Sequence, residues 1–136
     1  MNNQPLPYIY TSYLLYFLNI SIQYYYISSM NYIYIIHTRE FISLKFPVYK
    51  IGKTKQELTS SGTSKRCSGY PKGSVQLALY AVSNCDKAET HLIHNLLQSQ
   101  NIIHCTQYGA EYFNGPLEEI FQLVCQTALQ YTVNPI

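Results

Sequence analysis

Charge is scarce in this chain: Asp, Glu, Lys and Arg together make up 12% of its 136 residues, and none of them precedes Arg39. An uncharged start lacks the cationic region of a secretory signal, and no clear small-residue cleavage site follows it. The run from Tyr8 to Ile27 is about long enough to span a bilayer. However, Asn19, Ser21 and Gln23 fall in its second half, tyrosine favours the interface over hydrocarbon, and no basic residue flanks its start. No stable membrane association is therefore expected. Residues 1–30 read instead as a Tyr-rich uncharged extension. Met30 directly precedes the first organised strand and is the expected start of translation, which would make the residues before it non-native.

Metal-binding cysteine pairs are also missing. Cys67, Cys85, Cys105 and Cys125 include no CxxC, and His104 beside Cys105 cannot complete a four-ligand zinc site. Nothing else points to secretion, so reduced thiols in an intracellular protein are expected. His91 and His94 share a predicted helix with Glu89 but do not form HExxH, which excludes the zinc-peptidase arrangement. His94 reads as a helix-surface or packing residue. No internal repeat is visible.

What the chain does contain begins with Tyr32–Thr54. Two apolar runs, Tyr32–Ile36 and Val48–Ile51, are joined by a polar connector with Arg39, Glu40, Lys45 and Pro47. Tyr, Ile and Val favour the pleated surface of a strand, so the stretch predicts a β-hairpin with an exposed loop. Gly52 then lets the backbone leave the sheet without a Cβ clash. Lys55–Ser64 is a loop by composition, and Ser64–Ser68 predicts a short helical turn. Val75–Val82 alternates as a third strand, with Val75, Leu77, Leu79 and Ala81 on one face. Asp86–Ser99 predicts a helix whose stripe is Ala88, Leu92, Leu96, Ile93 and Leu97. Asp86 and Glu89 are spaced as a capping box at its start. Gly109–Gly115 reads as a short extended piece ending in a turn. Pro116 then opens a last helix at its first position, with Glu118 and Glu119 in the first turn and Leu117, Ile120, Phe121, Val124 and Ala128 inward. The expected fold is α+β, a small three-stranded antiparallel sheet flanked by helices over residues 31–130, followed by a tail at 131–136.

The net charge of +2 hides an uneven distribution. Lys45, Lys50, Lys53, Lys55, Lys65, Arg66 and Lys72 cluster against Glu57 alone, while the remainder is acidic. Such a patch suits a polyanion, because neutralising phosphates releases counterions; an ordinary solvated lysine face has the same composition.

Tyr32-Ile33-Tyr34, then Lys50-Ile51-Gly52-Lys53, Arg66, Glu89 and Glu111-Tyr112-Phe113 occur in an order that resembles the GIY-YIG nuclease superfamily. The branch of large DNA viruses and phages, with its YKIGKT and EYF motifs, is the nearer likeness. The resemblance covers Asn31 to about Gln130. It implies a metal-dependent DNA endonuclease that hydrolyses phosphodiester bonds with Mg²⁺ or Mn²⁺, of viral origin and acting inside a host cell. A non-catalytic nucleic-acid-binding module of the same fold is the alternative.

Residue by residue, the resemblance implies that Tyr34 helps to activate the attacking water. A phenol with a reference pKa of roughly 10 then needs a neighbouring cation, Lys53 or Arg66. Arg66 would hold phosphate oxygens and developing charge, and Glu89 would hold the metal ion. Lys53, Lys55, Lys65, Tyr49 and Asn114 would contact substrate. Read from the residues alone, Tyr34 is equally a buried strand aromatic, Arg66 a solvated surface residue, Glu89 the end of a capping box, and Asn114 part of the Asn-Gly-Pro turn. Two departures stand out. Tyr32 occupies the glycine position of the first motif. Lys50 occupies the tyrosine position of the second, where as a catalytic residue it would aim a cation at phosphate, and this exchange bears on whether the chain cleaves. Tyr49 is one residue out of register and faces the opposite side of its strand. Arg66, Glu89 and Tyr34 are expected to meet over one face of the sheet.

Overall fold

The computed structural model describes residues 31–132. The extension expected at 1–30 and residues 133–136 of the tail lie outside them.

The first strand, β1 (Asn31–His37), is the middle of the molecule. Five consecutive residues, Tyr32–Ile36, are buried. A half-exposed strand would alternate, so the unbroken run identifies a strand covered on both faces. It pairs antiparallel with β2 (Val48–Thr54) on one side and β3 (Val75–Val82) on the other. Two further short strands, β4 (Ile103–His104) and β5 (Tyr112–Asn114), extend the sheet beyond β2. The result is a five-stranded antiparallel sheet of order β3-β1-β2-β5-β4. The fold class agrees with the α+β expectation, but the expected three strands are corrected to five. Strands of two and three residues are too short to show an alternating pattern, and it is pairing with β2 and β4 that makes β5 a strand.

The polar connector is not a loop. It contains helix α1 (Arg39–Leu44), which buries Phe41. Lys45 closes it in a left-handed conformation (φ 58°), with its N–H on Ile42 O and the Phe46 N–H on Phe41 O. This reciprocal closure usually uses glycine, and six residues give too little periodicity to betray a helix.

Helices α3 (Cys85–Gln98) and α4 (Leu117–Gln130) cover one face of the sheet. Ala88, Leu92 and Leu96 of α3 and Ile120, Val124 and Ala128 of α4 pack with Ile33, Ile35, Tyr49, Ile51 and Phe113. Each fully buried Ile or Leu contributes roughly 1.5–3 kcal/mol, and Ile35→Ala at the centre would cost about 2–5 kcal/mol. Leu97, expected in the stripe, is 54% exposed. Pro116 is the N-cap of α4 rather than its first helical residue.

On the opposite face, Tyr34, Ile36 and Cys67 are packed with Tyr70 and Leu79. Cys67 belongs to α2 (Lys65–Ser68), the expected helical turn. The third strand has its expected bounds, but its alternation breaks. Ile35 pairs with Ala78 and Ile36 with Gln76, leaving Leu77 as a bulged residue that joins the helix-side core.

Candidate nucleic-acid site at the edge of β2

Antiparallel pairing sets the geometry. Tyr34 stands opposite Gly52, and Ile36 opposite Lys50, so Tyr34, Lys50 and Gly52 share the face away from α3. A methyl group at position 52 would lie 2.5 Å from Cζ of Tyr34. Only a residue without a side chain lets the ring lie over the backbone there. Strand β5 pairs with β2 over Val48–Lys50, and the Ile51 N–H reaches Glu111 O at 2.9 Å. From Gly52 onward the outer edge of β2 has no strand partner among the described residues, and the candidate site groups around this edge.

Glu89 approaches from the other face. The start of α3 is pinned twice: the Cys85 N–H donates to Asn31 Oδ1 at 3.0 Å, and the Lys87 N–H donates to Asn84 Oδ1 at 3.1 Å. Asn84 is therefore the N-cap, and the capping box expected from Asp86 and Glu89 does not form. The Glu89 side chain turns to the sheet instead, with Oε1 3.5 Å from Lys53 Nζ and its side chain 13% exposed. Its Oε2 is buried without a hydrogen-bond partner. Burial raises the Glu89 carboxyl above the usual range against the opposing pull of Lys53, and Glu111 adds to the rise.

The charges of Arg66, Glu89 and Glu111, together with the Tyr70 phenol, all act on the Tyr34 phenol. The expected meeting of Tyr34, Arg66 and Glu89 over one face is corrected, because Tyr34 packs on the face away from α3 while Glu89 reaches Lys53 on the helix side, so the two influence each other only across β2. Burial dominates the Tyr34 phenol and pushes its pKa far up, reinforced by Tyr70 and Glu111 and opposed by Arg66. The cation expected to make it ionise is present but outweighed.

Arg66 is set by a local cap. Ser64 Oγ accepts the Arg66 N–H at 3.0 Å, and the Ser64 N–H donates to Gln76 Oε1 at 2.9 Å, which ties α2 to β3. Lys65 and Arg66 are exposed, and neither has a carboxylate partner among the described residues. A cleft of about 250 Å³ is lined by Lys53, Thr54, Lys55, Gln56, Arg66, Cys85 and Asp86. The larger cleft, about 520 Å³, lies against the outer side of α3 at Lys87, Thr90, His91 and His94. It touches none of Tyr34, Arg66 and Glu89, so size alone does not mark the site.

Several of the expected cations are already engaged. Lys53 Nζ lies 2.8 Å from Asp86 Oδ1, Lys55 Nζ 3.2 Å from Asp86 Oδ2, and Lys50 Nζ 3.5 Å from Glu111 Oε2. Lys50 also sits over the rings of Tyr70 (4.9 Å) and Tyr112 (5.8 Å). Burial works against its charge, but the Tyr70 hydroxyl and Glu111 more than compensate and raise its pKa above the usual lysine value. The positive potential thus shifts from the strand toward Lys65, Arg66 and Lys72. Exposed ion pairs are worth about 0–1 kcal/mol, so phosphate can still compete for Lys55.

Two expected contacts fall elsewhere. Tyr49 is buried in the helix-side core, its ring 4.6 Å from that of His37, and cannot touch substrate. Asn114 pairs with Val48, four residues along β2 from Gly52, or roughly 13 Å at the rise of a strand. Glu111 and Tyr70 were not anticipated as site residues. Glu111 does fall in the EYF motif, whereas Tyr70 sits in a Gly-Tyr-Pro turn that gives no signal.

Among the described residues no group of three His, Cys, Asp or Glu side chains can hold a metal ion, and no helix is long and apolar enough to cross a membrane. A divalent ion that keeps most of its waters needs fewer protein ligands than that. No curated protein and no solved structure matches the chain. A family model described as the T5orf172 domain matches residues 31–127. With the match spanning β1 through most of α4, this chain belongs to the T5orf172 domain family, a phage-associated domain related to the GIY-YIG/HNH-like nuclease group.

Proposed function

We propose that this chain is a metal-dependent DNA endonuclease that hydrolyses phosphodiester bonds. The observation that carries the reading is the Glu89 carboxylate, buried beside Lys53 with one oxygen unpaired among the described residues, its charge acting on Tyr34 and acted on by Glu111. A buried unpaired carboxylate oxygen costs about 1–3 kcal/mol or more. The fold has no structural use for it, since Asn84 caps the helix.

Glu89 Oε2 would hold Mg²⁺ or Mn²⁺, with Lys53 occupying the other oxygen. The ion, when bound, neutralises charge on the scissile phosphate. The chain's own groups supply the rest. Arg66 offers a planar fork to phosphate oxygens from an exposed, capped position. Tyr34, kept protonated by burial, orients the attacking water by hydrogen bonding through its hydroxyl rather than serving as a phenolate. Lys50, charged and fixed by Glu111, faces the same side and places a cation where the related motif has a phenol.

The test is incubation of the purified chain with plasmid and branched DNA, with Mg²⁺ or Mn²⁺ and with chelator. Metal-dependent cutting that vanishes in Glu89→Gln supports the enzyme. One observation favours the alternative of a non-cleaving nucleic-acid module: Lys50 in the motif tyrosine's place is locked into an ion pair. DNA binding without cutting under either metal would establish that reading instead.

A further inference from the structure

On the face that carries Tyr34 the rings continue well past the site. Tyr70 and Tyr112 flank Lys50. Tyr108 lies 6.4 Å from Tyr112, and Phe41 lies 4.8 Å from Tyr108 and 5.9 Å from Tyr112. Phe41 is buried and holds the row in place, Tyr70 and Tyr112 are half-exposed, and Tyr108 is 46% exposed at the tip of a turn. An aromatic ring ordered by edge contacts and open to solvent on its other side has unused stacking area. Basic residues border the row: Lys65 and Arg66 precede Tyr70, Lys72 follows it, and Arg39 packs against Gly73 next to Lys72. The acids on this side are Glu40 and Glu111, and Glu111 is paired with Lys50.

We propose that the Tyr70–Tyr112–Tyr108 row is a stacking platform for unpaired bases, so that the chain binds single-stranded segments of DNA in preference to duplex. Duplex hides the faces of its bases and offers this surface only phosphates. An unpaired strand offers phosphates to Arg66 and Lys65 and bases to the tyrosines, a combination typical of single-strand binding. The inference rests on the reading of the chain as a DNA-binding protein and adds which form of DNA it prefers.

The experiment measures fluorescence anisotropy of labelled oligothymidylate of about twelve nucleotides, and of duplex of the same length. It uses the full chain in chelator, so that metal-dependent cutting cannot intervene. The strand is expected to bind more tightly than the duplex. Tyr108→Ala is expected to weaken strand binding by about tenfold, the effect of removing one stacked ring, while duplex binding stays constant and Tyr108→Phe restores the strand. Equal affinity for both forms, an equal loss on both in Tyr108→Ala, or a Phe variant as weak as the Ala variant would overturn the platform. Tyr108→Ala should stay folded with a small drop in Tm from its lost edge contacts with Phe41 and Tyr112, and Tyr108→Phe should melt with wild type, which separates lost stacking from lost fold. The nuclease reading fails on a different result, absence of cutting with metal, so the two can fall independently.

Discussion

The ring of Tyr34 rests on the bare backbone of Gly52, and no residue with a Cβ fits beneath it. Gly52→Ala should therefore force the ring or the strand to shift and destabilise the protein by about 1–3 kcal/mol. The shift also moves the hydroxyl away from Arg66 and Glu89. Denaturant unfolding alongside the cleavage assay checks this. The second substitution Tyr34→Phe should abolish cutting at far smaller cost in stability, showing that the hydroxyl and not the packing is what the reaction uses.

Glu89→Gln should have opposite effects on stability and activity. The folded protein holds this carboxyl above its ordinary value because of burial, so the neutral amide is better tolerated than the charge. The variant should gain stability without metal, read as a rise in Tm. Added Mg²⁺ or Mn²⁺ should raise the wild-type Tm through binding to the native state and leave the variant unmoved. A variant stabilised by metal as much as wild type would remove Glu89 from the ion.

The same shift sets a pH dependence. A carboxyl whose folded pKa is raised favours folding below its ordinary value, and that contribution is lost as pH climbs through the raised one. Metal binding needs the ionised form. Metal-induced stabilisation and cleavage should therefore both fall as pH drops through the raised value, at a pH higher than an unperturbed glutamate would give. A cleavage profile flat down to the ordinary carboxylate range would contradict the assignment.

The cations should separate into two groups. Arg66→Ala should weaken DNA binding uniformly across sequences and lower the salt slope by about one. Lys55→Ala should do much less, because its ammonium is already shared with Asp86. Ser64→Ala removes the cap that sets Arg66 and should cost about 1 kcal/mol, with a partial loss of binding. Anisotropy titrations over a range of salt concentrations measure all three.

The parts of the fold legible in the sequence were those with long periodic signals. Val75–Val82 and the two long helices emerge at or within a residue or two of their bounds, because eight to fourteen residues give the pattern room to repeat. Helix α1 and β4 were not legible, being six and two residues long, and β5 was legible only as extended chain within Gly109–Gly115, because its place in the sheet is set by tertiary pairing. Among the candidate site residues, motif order pointed to Tyr34, Arg66 and Glu89. Spacing could not distinguish Glu89 as a cap from Glu89 as a ligand, since Asn84 competes for the same role two residues earlier than expected. Tyr49 and Asn114 fall away from the edge for different reasons: parity already set Tyr49 on the other face of its strand, whereas the level of Asn114 depends on a register that is not visible before the pairing is known.

Strand β5 lies beside β2 in the sheet although nearly sixty residues of chain separate them, and Glu111 arrives with it. A growing polypeptide thus carries Tyr34, Arg66 and Glu89 well before it can close the edge that unites them. Contacts of such long sequence separation form late and slowly. Completion of this edge of the sheet therefore waits on the last third of the chain.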